Sequence, residues 1–151
     1  MPYWIEGWIE VTRCEGVEQD DEYAWMGFAN LGVVIDVGDT VSEKLFGLSK
    51  RCSSGEFTVD SLAADRGIPS HPCAEVVREM KLIRRLEKKH GGPIGHGGYT
   101  HAKWSEIKKV SFSEQELVDS DWPLLFDIAQ RLEKDYRYTD DKIRFVVWFN
   151  W

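Results

Sequence analysis

The sequence predicts one α+β domain in which two amphipathic helices pack on a mostly antiparallel sheet. Both ends of the chain have strand patterns, because residues 3–12 alternate in polarity and residues 143–151 are almost all apolar, aromatic or β-branched. Between them, stretches at about 71–90 and 122–137 have the apolar spacing of helices. No linker, repeat or low-complexity tract interrupts the 151 residues, so residues 1–151 are expected to form a single domain.

The first and last strands are predicted to be neighbours in the sheet. The last strand reads as buried on both faces, which favours a central position beside the first. Trp4 and Trp8 lie on one face of the first strand with Glu6 between them, and Trp148 joins them if the two strands pair. These rings either pack under a helix or line a surface for a partner or ligand.

The segment between the first strand and the first long helix is predicted to be irregular in large part. Residues 23–29 and 33–35 read as further extended pieces, and a short helix is expected over 41–46. Residues 48–69 are rich in turn signals, with one strand near Phe57. So long a connection is uncommon without a packing or functional reason.

The helix boundaries are predicted from capping residues. Ser70 is expected to cap the first long helix and Gly91 to end it. Ser105 is expected to cap a short turn, and Ser113 begins a capping-box pattern. The second long helix presents a buried stripe formed by Leu125, Ile128, Ala129, Leu132 and Tyr136.

Composition and charge limit the compartment and the class of partner. With 26 Asp and Glu against 19 Lys and Arg, the net charge is -7, so nucleic acid is not an expected partner. Cys14, Cys52 and Cys73 form no CxxC pair, which predicts reduced thiols. No run of 18 apolar residues and no basic-then-apolar N-terminal signal is visible, so a soluble, cytoplasmic protein without a membrane partner is expected.

Several short motifs are spread along the chain: Phe46-Gly47-Leu48, Arg66-Gly67-Ile68-Pro69, Gly98-Tyr99-Thr100-His101-Ala102, Trp104-Ser105-Glu106-Ile107 and Arg144-Phe145-Val146-Val147-Trp148-Phe149-Asn150. Together they resemble a family of small bacterial and phage proteins to which no activity is assigned. The likeness extends over most of the chain. It implies a bacterial or phage cytoplasm and no particular chemistry.

The stretch from 91 to 104 is rich in glycine and then in Tyr, His, Lys and Trp. A phosphate-binding loop would need a strand before the glycines and a helix after them, whereas here a helix precedes and an extended segment follows. The glycines are therefore expected to form a helix-to-strand connection with positive φ at several positions. His90, His96 and His101 are the candidate metal ligands, but their spacing matches no metal motif, and no metal or other cofactor is expected.

The leading functional hypothesis is a non-enzymatic binding or regulatory protein that uses residues 90–104 to hold a protein or small-molecule partner. Polar and aromatic groups gather there without a catalytic constellation; the predicted ligand-binding residues are Arg66, His96, Tyr99, His101, Lys103 and Trp104. The alternative is a metal-assisted hydrolase using His96 and His101. A homo-oligomer paired through the aromatic C-terminus is the third hypothesis.

A basic helix face offers a second place for recognition. One side of the first long helix carries Arg78, Lys81, Arg85, Lys88 and Lys89. Such a face is either a solvated stripe or a surface for an acidic protein partner.

Overall fold

The computed structural model describes residues 4–15, 21–33, 40–47 and 60–150. Its strands are β1 (Trp4–Val11), β2 (Met26–Asn30), β3 (His96–Lys103) and β4 (Ile143–Asn150). Its helices are α1 (Thr40–Phe46), α2 (Ala74–His90), α3 (Trp104–Ile107), α4 (Glu114–Val118) and α5 (Trp122–Asp135), with single 3-10 turns at Leu31–Val33 and Asp140–Lys142. The α+β prediction is confirmed. None of the described helices is long and apolar enough to cross a membrane.

The four strands form one antiparallel sheet in the order β2-β1-β4-β3. Glu6 lies opposite Trp148, and every residue of β4 from Ile143 to Phe149 is buried. The predictions that the last strand is central, buried on both faces and next to the first strand are thus confirmed. Because both edges of β4 are hydrogen-bonded within the chain, this strand is not available to pair with a second copy.

The two faces of the sheet carry separate apolar clusters. Phe145 and Val147 face the larger cluster, which α1, α3 and α5 cover with side chains such as Phe46, Ile107 and Leu125. Val146 faces the opposite way and packs with Trp148 beneath α2. Because side chains alternate along β4, this strand contributes residues to the apolar clusters on both faces of the sheet.

Helix α2 packs on the second face of the sheet, together with Ile68 and Ile94 from outside the helix. Val76, Met80 and Ile83 form its buried stripe and pack against Val146 and Trp148. Burying each such side chain stabilises the fold by about 1.5–3 kcal/mol. Of the three Trp rings predicted to lie together, Trp148 belongs to this cluster and Trp8 packs against it, whereas Trp4 is 43% exposed.

The predicted start of α2 is wrong by a few residues. The helix begins at Ala74, and its N-cap position is Cys73 rather than Ser70. The backbone N–H of Cys73 donates to Oε1 of the buried Glu10 on β1 at 2.5 Å. The carboxylate of Glu10, on a distant strand, thus accepts the backbone N–H at the N-cap position. This long-range contact explains why α2 begins later than the local sequence predicts.

The predicted end of α5 is also wrong. The helix ends at Asp135, and Tyr136 is 58% exposed, so Tyr136 does not belong to the buried stripe. Arg137 adopts a φ of 60°, a left-handed conformation that cannot continue a helix. Leu125, Ala129 and Leu132 do form the buried face of the helix.

The two short helices differ in how well their starts were predicted. Helix α3 follows β3 directly, with Lys103 rather than Ser105 at the N-cap, and Glu106 accepts the backbone N–H of Lys103 at 3.0 Å. The Ser113 capping box of α4 is confirmed, because Ser113 and Glu116 each accept the backbone N–H of the other.

The glycine-rich stretch is a helix-to-strand connection, as predicted. Gly91 caps the C-terminus of α2 with φ 74°, and Gly95 and Gly98 also have positive φ, at 84° and 66°. Strand β3 begins at His96 rather than at Tyr99, so the strand includes part of the glycine run.

The irregular segment before α2 lies along the outer edge of β3. The N–H of Gly67 donates to the carbonyl of Tyr99 at 2.9 Å, and the hydroxyl of Thr100 donates to the carbonyl of Ala63. These bonds cover an edge that would otherwise expose backbone groups. The predicted strand near Phe57 and the extended residues 34–35 lie outside the described residues.

Candidate functional site

Two polar recesses lie at opposite ends of the face that α2 covers. The first, here called the basic cleft, has a volume of about 400 Å³ and is lined by Trp25, Arg66, Ile68, Pro69, Ser70, His71, His101, Lys103 and Arg144. The second, here called the acidic cavity, has a volume of about 380 Å³ and is lined by Glu6, Asn30, Gly32, Glu79, Leu82, Ile83, Leu86, His96 and Trp148.

The basic cleft is assembled by strand register and by the segment that precedes α2. His101 and Lys103 are two residues apart on β3 and therefore lie on the same face of the sheet. Lys103 is opposite Arg144 on β4. Arg66 and His71 reach the same recess from the segment along the edge of β3.

Arg66 is held in place by three acceptors. Its Nη1 donates to Glu106 at 2.9 Å and to the carbonyl of His101 at 3.4 Å, and its Nη2 donates to the carbonyl of Leu62 at 3.1 Å. Burial tends to raise the pKa of Glu106, but the hydrogen bonds from Arg66 and from the backbone of Lys103 outweigh it and lower that pKa. The Arg66 charge is therefore largely balanced within the protein.

Arg144 is a structural cation at the floor of the cleft. Its Nε donates to the fully buried Glu10, and its Nη2 donates to the carbonyl of His71 at 2.6 Å. The guanidinium lies 3.8 Å from the ring centroid of Trp25, a cation–π contact. Desolvation lowers the pKa of Arg144, and the charge of Glu10 opposes that effect. The ion pair of Glu10 and Arg144 therefore connects β1, β4 and the start of α2.

Lys103 and His101 are the groups with free binding capacity. Within the described part of the chain, no carboxylate forms an ion pair with the Lys103 ammonium. His101 Nδ1 is 2.9 Å from the carbonyl of Gly67, which can only accept, so Nδ1 carries a proton. Among the residues described, Nε2 of His101 has no partner. The cleft thus offers one uncompensated cation and one imidazole nitrogen.

A shallow groove, here called the α2 groove, continues from the cleft past Trp25. Its volume is about 670 Å³, and Arg78 and Lys81 on α2 contribute cations to it. Tyr23 is 83% exposed and Met26 is 51% exposed along the same groove. Glu22 and Glu75 also line it, so its charge is mixed. The groove adds apolar contact surface beside the cleft.

The acidic cavity holds two carboxylates oriented by neighbouring side chains. Glu6 accepts the indole N–H of Trp148 at 2.8 Å and the amide of Asn150 at 3.1 Å. Glu79 accepts the indole N–H of Trp8 at 3.2 Å. Burial raises the pKa of Glu79, with a smaller contribution from the charge of Glu6, while the Trp8 hydrogen bond opposes the rise.

Three of the six residues predicted to bind a ligand come together. Arg66, His101 and Lys103 all line the basic cleft. The segment containing Arg66 reaches them because it runs along the edge of β3. The sequence predicts these residues as ligand-binding because polar and aromatic groups gather around them, and the structure places the three in one recess.

The other three predicted residues lie elsewhere. His96 lines the acidic cavity at the far end of β3. Tyr99 packs against Trp148 at a centroid distance of 6.3 Å, and burial, then the charge of Glu87, raises its pKa. Trp104 is only 7% exposed in the opposite cluster, where its indole donates to Glu133 at 2.8 Å, so it stabilises the core and does not line the cleft.

The histidines considered as metal ligands are dispersed. His96 lies opposite Asn150 and His101 opposite Val146, so they are about 13 Å apart along the strand. His90 is exposed at the end of α2. Over the described ranges, no group of three His, Cys, Asp or Glu side chains is arranged to hold a metal ion.

Sequence reasoning missed several polar residues of the two recesses. Glu79, His71 and Glu10 belonged to no motif, and the motif that begins with Arg144 gave this residue no role. A signal for the pair was present, because Glu10 shares the mixed face of β1 with Glu6 and Arg144 is the single charge within the last strand. Antiparallel pairing of these strands places Glu10 opposite Arg144.

Comparisons of the chain with protein-family models, with curated proteins and with solved structures gave no match. A proposal for the function of this chain therefore depends on the geometry of the two recesses.

Proposed function

We propose that this chain is a non-enzymatic binding protein whose basic cleft holds an acidic segment of a partner protein. The observation that carries the proposal is the ammonium of Lys103, which has no carboxylate partner among the described residues, beside His101 and Arg66 in one recess of about 400 Å³. In a chain with a net charge of -7, this local positive site is distinctive. A carboxylate in the cleft would pair with the ammonium of Lys103 in a charge-assisted hydrogen bond.

The shape of the surface favours an extended polypeptide as the ligand. The cleft continues past Trp25 into the α2 groove, where Arg78 and Lys81 supply further cations and Met26 supplies apolar surface. One segment with acidic side chains and an apolar anchor would fit the basic cleft and the α2 groove together. The sequence hypothesis that the basic face of α2 meets an acidic protein is consistent with this geometry.

The charge balance favours an acidic polypeptide over nucleic acid. Glu22 and Glu75 line the α2 groove and would repel a continuous phosphate backbone. The net charge of -7 adds to this repulsion. A segment of mixed acidic and apolar residues avoids repulsion from Glu22 and Glu75, because it need not place a negative charge at every position.

We also propose that the protein acts in a reducing cytoplasm of bacterial or phage origin. Burial raises the pKa of Cys73 strongly, which keeps its thiol protonated and unreactive. The motif resemblance supports the same compartment. Free thiols in the purified protein, counted without reductant, test the redox part of this proposal.

A fluorescence anisotropy titration tests the binding proposal. The probe is a labelled peptide rich in Asp and Glu that contains one Leu, and its control has Asn and Gln in place of the acids. We expect the acidic peptide to bind and Lys103→Glu to weaken it by about tenfold or more, since the substitution places like charges together. Lys109→Glu is the matched control, because Lys109 is exposed and lies outside the cleft.

The proposal fails if Lys103→Glu and Lys109→Glu weaken the acidic peptide equally, since the interaction is then only non-specific attraction. It also fails if the neutral peptide binds as tightly as the acidic one. Preference for a labelled single-stranded DNA over the acidic peptide would contradict the choice of partner.

A further inference from the structure

The acidic cavity lies at the other end of α2 from the basic cleft and takes no part in the proposed function. Its volume of about 380 Å³ is within the range of small-ligand sites. Glu6 on β1, Glu79 on α2 and His96 on β3 supply its polar groups, and Leu82 and Leu86 supply apolar wall. Three separate elements of the fold therefore build this recess.

The two carboxylates are oriented by donors that bring no positive charge. Trp148 and Asn150 donate to Glu6 at 2.8 and 3.1 Å, and Trp8 donates to Glu79 at 3.2 Å. In the part of the chain that the structure describes, no lysine or arginine forms an ion pair with Glu6 or Glu79. Within the described residues, the negative charge of the cavity is therefore held in place without a lysine or arginine partner.

His96 adds another acceptor to the same recess. Its Nε2 is 3.5 Å from Glu6, and its Nδ1 is buried without a partner among the described residues. The His96 side chain is only 13% exposed. In the neutral ring whose Nε2–H faces Glu6, Nδ1 is an acceptor. The carboxylates of Glu6 and Glu79 are the acceptors that line the cavity, and a donor-rich ligand complements them.

We infer that the acidic cavity binds a compact organic cation, an ammonium or guanidinium group on an alkyl chain. Both groups carry several donors and no acceptor, and both form charge-assisted hydrogen bonds with carboxylates. Leu82, Ile83 and Leu86 provide a surface for the alkyl chain. The raised pKa of Glu79, caused first by burial, fits a carboxylate that has lost water and gains from a cation.

Indole NMR resonances of the cavity report binding directly. The Nε1–H groups of Trp8 and Trp148 donate to the two carboxylates, so a cation that reaches either carboxylate shifts these signals. The probe is n-butylguanidinium, and n-butylurea, which has a similar shape without charge, is its control. The two signals are assigned with Trp8→Phe and Trp148→Phe. We expect saturable shifts with butylguanidinium and none with butylurea.

Charge-removing variants locate the site. Glu6→Gln and Glu79→Gln keep an acceptor for each indole, and we expect each to weaken butylguanidinium binding by about tenfold or more. Glu114→Gln removes one exposed carboxylate outside the cavity and should leave the affinity unchanged. Lys103→Glu should also leave it unchanged, so failure here and failure of the proposed function are distinguishable.

The inference is overturned if butylguanidinium shifts neither indole, if butylurea shifts them equally, or if both Gln variants bind as tightly as the unmodified chain.

The source of the cation is resolved by a competing peptide, acetyl-Gly-Arg-Gly-amide. Tighter binding of the peptide than of butylguanidinium identifies a side chain of a polypeptide. Tighter binding of butylguanidinium identifies a free small molecule, and either order supports the cavity as a cation site.

Discussion

At the scale of single residues, the buried pair of Glu10 and Arg144 connects the fold to the candidate site. Glu10 is fully buried, accepts the N–H of Cys73 before α2, and pairs with Arg144 beneath the basic cleft. Loss of one member leaves the other charged and buried without compensation. The same pair therefore fixes the start of α2 and the floor of the cleft.

We expect Glu10→Gln to lower the free energy of unfolding by about 3–5 kcal/mol, measured by urea denaturation, because it leaves Arg144 without its buried counter-charge. Replacing both residues with Met should restore much of the loss, since two apolar side chains carry no uncompensated charge. Glu114→Gln is the control and should change stability by less than about 0.5 kcal/mol. An equally small effect of Glu10→Gln would contradict the role assigned to the pair.

The raised pKa of Glu79 predicts that its contribution to stability falls as the pH rises, opposite to the usual behaviour of a carboxyl group. Its folded pKa is raised, first by burial and then by the charges of Glu6 and Glu75, against the Trp8 hydrogen bond and Arg78. The folded state then holds the Glu79 proton more tightly than the unfolded state does. The contribution of Glu79 to stability is therefore full below its unfolded pKa and is lost as the pH rises through its folded pKa.

Thermal denaturation across a pH series tests this dependence. The melting temperature of Glu79→Gln, minus that of the unmodified chain, should increase from about pH 4 to pH 7, because Gln does not ionise. Glu114→Gln should show no such trend. A difference that shrinks with rising pH would refute the direction of the Glu79 shift.

At the scale of elements, the close approach of β1 and β4 depends on Gly7. Its φ is 147°, and a Cβ at this position would lie 2.0 Å from the carbonyl oxygen of Val146. The two strands form the middle of the sheet and carry residues of both recesses. A side chain at position 7 would force them apart.

Gly7→Ala should therefore destabilise the protein by roughly 2–5 kcal/mol through backbone strain and overpacking. Gly92→Ala is the matched control, because nothing lies within 4 Å of its added Cβ and its φ is not positive. Urea denaturation of the two variants compares them. Equal stability would show that the sheet relaxes around position 7 at little cost.

The elements themselves were largely predictable from local patterns, whereas their boundaries depended on distant contacts. The alternation of β1, the apolar run of β4 and the Ser113 capping box are encoded by neighbouring residues. The start of α2 depends on Glu10, which no nearby residue reveals. Strand β3 begins within glycines because its pairing with β4, and not its own composition, makes it a strand.

The candidate site was predictable only where its residues are close in sequence. His101 and Lys103 share a strand face by simple alternation. The acidic cavity was missed because Glu6, Glu79 and His96 come from three elements whose arrangement depends on sheet order. Trp104 was assigned to a ligand surface because its neighbours are polar, but the turn into α3 directs it to the core.

At the scale of the whole molecule, α2 separates recesses of opposite character. Lys103, His101 and Arg66 lie near its N-terminal end, whereas Glu79 on the helix itself forms the second recess with Glu6 and His96 from the sheet. The apolar cluster around Val146 and Trp148 fills the space between them. Each recess can therefore be altered by mutation without changing the other.

Chemical-shift mapping with the acidic peptide tests the central proposal most directly. In a ¹⁵N-labelled sample, we expect the largest backbone shifts at residues 66–71, at 101–103 and at Arg144, further shifts along the α2 groove at Arg78 and Lys81, and little change at Glu6 and His96. The pattern should disappear in Lys103→Glu and persist in Lys109→Glu. Shifts centred on the acidic cavity, or none at saturating peptide, would contradict the account of the basic cleft as the site of recognition.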